Sequence, residues 1–340
     1  MKKILFNQLL LLTAVLASVA ATAQDDHKDD HKNEKEPKFK KTKSYSKSYS
    51  LAGSDKINLA NQFGEMKLNT WDKNEIKVDV TITGKSDVEQ RAQQILDHIS
   101  INDSKTGNTV SFETKFNDDK KEQNKNDKEE HRNEGMQIDY MVYLPAGNAL
   151  TVQNQFGKLI IPDYRGEADI TCKFGSLTTG KLSNPKEVDV EFGEANIGRL
   201  DGGKLSIKFS EGTVEKLSGD VKTNLEFSQV KLNIDNDLKS LDLQNSYSTI
   251  YLDVDKNLSA AYDITSSHGE FTNKTSFAIK EEGKDDDNRY GPRFTRKYSG
   301  TSGGGTSKLK VNSSFGEITI GHDLKMEKTG KRKSKPERTT

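Results

Sequence analysis

Disulfides are the first thing this sequence does without: Cys172 is its only cysteine, so stability has to come from packing and backbone pairing. The thiol lies between Thr171 and Lys173 in a strand-like stretch and reads as a small buried apolar group rather than a nucleophile. Apolar residues are scarce too. They make up 31% of the 340 residues, the same share as charged ones, which is too few for a thick globular core and too many for a wholly disordered chain. An excess of one charge is also missing: 52 basic side chains balance 52 acidic ones. No global field therefore points to nucleic acid, an anionic membrane or an acidic substrate. The glycine-rich run from Gly300 to Lys308 lacks the Gly-Lys-Ser/Thr ending of a nucleotide loop, and the sequence calls for no cofactor.

The one long apolar run is N-terminal. Lys2 and Lys3 precede Leu9–Ala20, and Ala21-Thr22-Ala23 follows as a small-x-small cleavage pattern. Residues 1–23 are read as a signal peptide cut before Gln24; the alternative is a membrane anchor, for which the run is short. After cleavage no later segment is long and apolar enough to span a membrane as a helix, so the chain is expected to be exported, periplasmic or at the cell surface. Residues 24–50, rich in Asp, His, Lys and Ser, read as a disordered leader. Within it, the run from Asp25 to His31 is a weak metal candidate and a better solvated leader.

What is plentiful is a repeat. An aromatic followed by Gly or Ser recurs as Phe156-Gly157, Phe174-Gly175, Phe192-Gly193, Phe209-Ser210, Phe227-Ser228 and Tyr247-Ser248, in steps of 17 to 20 residues. His268-Gly269 and Phe315-Gly316 extend the series, and Phe63-Gly64 is a detached earlier copy. Apolar residues recur four before the aromatic (Val152, Ile170, Val188, Leu205) and three and five after it (Leu159 and Ile161, for example). Inward positions are thus even-numbered before the aromatic and odd-numbered after it. Such a flip needs a corner, which a residue with little or no side chain permits.

The pattern predicts an all-β chain, a single-stranded β-solenoid of about eight rungs of roughly 18 residues, in preference to an antiparallel sandwich. One rung buries too little to fold alone, so stacking is obligatory and should align the aromatics into a ladder. The expected domains are an N-terminal strand and helix cap region over 51–148, the solenoid over 149–322 with an insertion at 280–307, and a basic disordered tail over 323–340. In the cap region, Ser86-Asp87-Val88-Glu89 reads as a capping box. Val88, Ala92, Ile95, Leu96 and Ile99 then form one face of an amphipathic helix that covers an end or face of the stack.

Few residues carry chemistry. In the insertion, Arg289, Tyr290, Arg293 and Phe294 mix cations with aromatics and are the candidate partner-binding residues, suited to an anionic or glycan surface. Two carboxylate pairs are candidates for glycoside hydrolysis, Asp169 with Glu187 and Glu194 with Glu211. They alternate with lysines as a solvated face would, so no catalytic, metal or cofactor residues are assigned. His268 reads as a flat substitute for phenylalanine in the ladder.

The run from Val142 to Val152 (VYLPAGNALTV), the repeated Phe-Gly corners and the closing Ser314-Phe315-Gly316-Glu317-Ile318-Thr319-Ile320-Gly321 resemble the bacterial putative-adhesin domains of unknown function. They are also similar to the auto-transporter adhesin head (GIN) domains of Bacteroidetes. The resemblance covers about residues 50 to 322. It implies a β-solenoid at the cell envelope with an adhesion role and no catalytic residues. The expected function is adhesin-like binding of an envelope glycan or protein. The alternatives are a structural or regulatory envelope component without its own ligand and, further off, a carbohydrate-active enzyme.

Overall fold

A computed structural model describes residues 36–117, 133–283 and 294–326. Pro37–Thr340 forms one compact unit; of the second, Met1–Glu36, only Glu36 is described. The signal peptide, the Asp25–His31 run, most of the charged loop at 117–134, and Arg289, Tyr290 and Arg293 therefore lie outside the described residues.

The described chain is almost entirely β. Its N-terminal part holds β1 (Phe39–Ser50), β2 (Lys56–Gln62), β3 (Met66–Thr70), β4 (Glu75–Ser86), α1 (Glu89–Asp97), β5 (Ile99–Thr106), β6 (Thr109–Phe116) and β7 (Gly135–Leu144). The repeats follow as β8 (Ala149–Gln155), β9 (Lys158–Ile161), β10 (Tyr164–Lys173), β11 (Ser176–Glu191), β12 (Glu194–Lys208), β13 (Glu211–Glu226), β14 (Gln229–Ser246) and β15 (Thr249–Val254). Last come β16 (Ala260–Ser267), β17 (Glu270–Asn273), β18 (Lys280–Glu281), β19 (Thr295–Ser302), β20 (Ser307–Ser314) and β21 (Glu317–Gly321).

From β8 to β15 each repeat lies parallel on the next with the aromatics in step: Cys172 pairs with Asn154 and Val190, Ile207 with Val190 and Leu225. The buried rows are those named from the sequence plus two more, the first continuing the even-numbered parity and the second breaking the odd-numbered one. One lies six before the aromatic (Ile57, Leu150, Ala168, Val221, Leu241, Leu309) and the other eight after it (Tyr164, Leu182, Leu200, Leu217). Because of these rows β11 to β14 run almost continuously from one corner to the next, at 15 to 18 residues each.

The sheet is mixed, which departs from a single-stranded solenoid. At one end β1 pairs antiparallel with β4, β4 with β7, and β5 with β6; at the other β19 pairs antiparallel with β16 and β18. What stands among the described residues is an all-β arrangement with one short helix. Two features of chain order also differ from expectation. The Phe63 corner is not detached, since β2 pairs with β8 and Phe63 stacks on Phe156. The Phe315 corner does not close the series: β20 lies between β14 and β16, so a repeat later in the chain is inserted ahead of the His268 repeat.

The leader expected over 24–50 is cut short, because Phe39–Ser50 forms β1 along the whole of β4. The insertion at 280–307 likewise contributes β18 and β19. The helix is shorter than predicted. Ser86 Oγ accepts from the Val88 N–H, so the polar turn is used before the helix, which starts at Glu89 with Val88 exposed at its N-cap. Ala92 and Leu96 face the core. The helix sits close on β4, where a Cβ at Gly84 would be 2.5 Å from the Ala92 carbonyl oxygen. Lys43 Nζ donates to the Leu96 and Ile99 carbonyls and so ties β1 to the helix C-terminus. Tyr45 and Tyr49 of β1 both donate to the Asp103 carboxylate of β5, joining the outermost strands across this end.

Candidate functional site: an exposed ladder of stacked rings

Every corner aromatic has left-handed backbone, with φ from 49° at Phe209 and Phe227 to 62° at Phe63. For a bulky L-residue this costs about 1 kcal/mol or more, and two kinds of contact offset it. The corner N–H donates to the strand of the neighbouring repeat, as Phe156 does to the Lys173 carbonyl at 2.9 Å and Phe174 to Glu191 at 2.9 Å. Each ring also stacks on the rings either side.

The next residue must be small because the neighbouring backbone is so close. A Cβ at Gly175 would lie 1.9 Å from the Gly157 carbonyl oxygen, and one at Gly193 would lie 1.8 Å from that of Gly175. At the serine corners the side chain has a use instead: Gly193 N–H donates to Ser210 Oγ, Ser210 N–H to Ser228 Oγ, and Ser228 N–H to Ser248 Oγ.

The rings form one file in the order Phe63, Phe156, Phe174, Phe192, Phe209, Phe227, Tyr247, Phe315, His268, Phe294. Neighbouring centroids are 4.8 to 5.0 Å apart, which is the interstrand spacing of a sheet. The rings from Phe156 to Tyr247, with Phe315, are 45% to 51% exposed. His268 takes the place of a phenylalanine between Phe315 and Phe294, as a flat substitute should. Phe294, expected as a contact residue of the insertion, extends the file by one ring and is 59% exposed. The Phe63 end is closed instead by the edge of Phe116.

Stacking decides what the stripe presents. Along most of its length each ring face is covered by the next ring, so the open surface is a row of ring edges. On one side of the row lie Gln155, Lys173, Glu191, Lys208, Glu226 and Ser246, which immediately precede the aromatics. In this row Lys173 pairs with Glu191 at 2.9 Å and Lys208 with Glu226 at 3.6 Å. On the other side, Glu194, Glu211, Gln229 and Thr249 border a groove of about 670 Å³ under Phe209, Phe227 and Tyr247.

The carboxylate pairs are neighbours on a sheet rather than partners across a cleft: Asp169 sits beside Glu187 in the ladder, and Glu194 beside Glu211. Lys186 holds Asp169 at 3.0 Å and Lys204 holds Glu187 at 2.7 Å. Cys172 is fully buried, and burial pushes its thiol up to about 11, so it stays protonated and inert at neutral pH. Among the described residues no three His, Cys, Asp or Glu side chains converge as metal ligands, and no helix is long and apolar enough to cross a membrane.

No family model matches the chain, and no curated protein does. Solved structures do. A putative adhesin from Bacteroides fragilis is 13% identical, with 82% of this chain and 97% of that one covered and a TM-score of 0.35. A putative cell adhesion protein from Clostridium sporogenes is 15% identical, with 83% and 100% covered and a TM-score of 0.25. A putative lipid binding protein from Parabacteroides distasonis is 12% identical, with 82% and 96% covered and a TM-score of 0.33. Two of the three bear names of the adhesin kind that the sequence resembles.

The ladder's existence was legible in the sequence; its exposure was not. Period-two reasoning assigns inward and outward positions, and a corner residue is neither.

Proposed function

We propose that this chain is an exported, non-catalytic binding protein of the cell envelope, adhesin-like, whose parallel stack serves as a rigid β-solenoid with the ring ladder as its contact surface. The observation that supports this most is the ladder's exposure: a continuous file of half-exposed rings is an apolar patch of the size that marks interaction sites. A structural component without a ligand would more simply bury the rings or replace them with polar residues. The covered ring faces favour a protein partner over a glycan, because sugars stack on aromatic faces and, among the described residues, the successive rings of the ladder cover one another's faces. The first carboxylate pair is held by Lys186 and Lys204, and the second consists of neighbours on one sheet, which gives no support to hydrolysis.

The test is capture of envelope proteins and glycans by the wild type and by a Phe209→Asn/Phe227→Asn variant. Asparagine tolerates left-handed backbone, so the corners should survive. Deleting the whole insertion would be a poorer control, because it removes β19. Loss of captured material with the cooperative melting transition retained is expected; equal capture by both proteins would overturn the reading.

A further inference from the structure

We infer that the partner of the ladder is a second copy of this chain, lying antiparallel against the first about a two-fold axis between the Phe192 and Phe209 repeats. The inference rests on the ladder being the contact surface and adds the identity of what it contacts. Two observations carry it. The first is the repeat: rings 4.8 to 5.0 Å apart are matched step for step by another stack with the same interstrand spacing, so a second copy stays in register along the whole file. A partner with another repeat meets only a few rings before drifting out of step.

The second is charge. In a two-fold contact of facing ladders, the row preceding the aromatics meets its own reverse. Read along the stack the row is Gln155, Lys173, Glu191, Lys208, Glu226, Ser246, all register neighbours. Its reverse about the Phe192/Phe209 midpoint sets Lys173 opposite Glu226 and Glu191 opposite Lys208 in both directions, four opposite-charge contacts. Gln155 then faces Ser246. Moving the axis by one repeat either way leaves two such contacts, and a parallel arrangement sets Glu191 opposite Glu194. By the same count the antiparallel contact has two like-charge contacts, Glu194 facing Glu211 in both directions on the other flank. There each copy brings its groove of about 670 Å³, which would keep this flank open to solvent and the like charges open to screening by dissolved ions.

The experiment is sedimentation equilibrium of the full exported chain over the micromolar range, with Glu191→Lys, Lys208→Glu, their equimolar mixture and Phe209→Asn. Melting profiles show that each is folded. The expected result is a wild-type dimer, self-association weakened about tenfold or more in each charge reversal, and dimer restored on mixing, because the lysine introduced at position 191 of one variant then meets the glutamate introduced at position 208 of the other. A wild type that stays monomeric, single reversals that associate like wild type, or a mixture that fails to recover would each overturn the inference. A monomeric wild type that still captures envelope material in a Phe209-dependent way would sink the second copy while leaving the contact surface standing. A dimer and a capture both indifferent to Phe209→Asn would sink the contact surface itself.

Discussion

The middle of the stack and its two joints solve the same problem differently. From Phe174 to Phe227 the repeats follow one another directly, and the position two before each aromatic is apolar: Cys172, Val190, Ile207, Leu225. At the joints the neighbouring repeat comes from elsewhere in the chain, and the same position is polar. Asn154 Nδ2 donates to the Gly64 carbonyl at 3.1 Å, Asn61 Nδ2 donates to Asn154 Oδ1 at 3.1 Å, and Asn245 Nδ2 donates to Ser313 Oγ at 2.8 Å. A short covalent connection already fixes register in the middle, so packing alone suffices there. Where a long excursion intervenes, apolar contact would tolerate a slip, and a directional hydrogen bond does not.

The largest expected effect breaks the middle. Gly175→Val places a Cβ where the Gly157 carbonyl oxygen is 1.9 Å away, and neither backbone can yield without parting two repeats. A loss on the order of 4 kcal/mol or more is expected, seen as disappearance of the cooperative melting transition. Survival of that transition would show that the corners are looser than their geometry.

Next in size is a joint. Asn154→Val imports the residue type of the middle, as at Val190, and orphans groups that Asn154 now satisfies, including the Lys158 carbonyl. A loss of about 2 kcal/mol in chemical denaturation is expected. A gain would mean that burial matters more than register at this joint.

The sequence announced the corners, the parity flip and most buried rows, because these follow from local period and from side-chain size. It did not announce the spatial order. Phe315, Tyr247 and His268 share one frame, so nothing in that frame says that β20 slides between β14 and β16. Non-local pairing is decided by which free edge the returning chain reaches, and Asn245 opposite Ser313 records the outcome without predicting it. The end strands were hidden for a related reason: β1 reads as Lys, Ser and Tyr with few aliphatics, yet its tyrosines and Lys43 close the end through hydrogen bonds that composition does not reveal.

That closure sets a smaller, pH-dependent effect. Hydrogen bonds from Tyr45 and then Tyr49 hold the Asp103 carboxyl below its usual range, against the opposing pull of burial. A carboxyl depressed in the folded state stabilises above its unfolded pKa, and the stabilisation is lost as pH falls through the folded value. Asp103→Asn should therefore cost about 1 kcal/mol at neutral pH, the charge-assisted bonds being discounted for partial exposure. The gap from wild type should close as pH drops below the ordinary carboxylate range. A gap that stays constant with pH would assign the cost to packing of the two tyrosines instead.

A similarly modest effect on stability is expected at the proposed contact surface. Phe209→Asn gives up stacking on Phe192 and Phe227, at about 0.5 to 1.5 kcal/mol per pair, and in return relieves the left-handed strain of a bulky side chain. The rings are about half-buried, so some apolar contact is lost as well; the relieved strain offsets only part of this, and a net loss of about 1 kcal/mol or somewhat more is expected, well short of unfolding. A melting temperature close to wild type would separate the ladder from the scaffold that carries it. A collapse comparable to Gly175→Val would make the rings a structural spine, and their exposure would then be a by-product of the corner geometry.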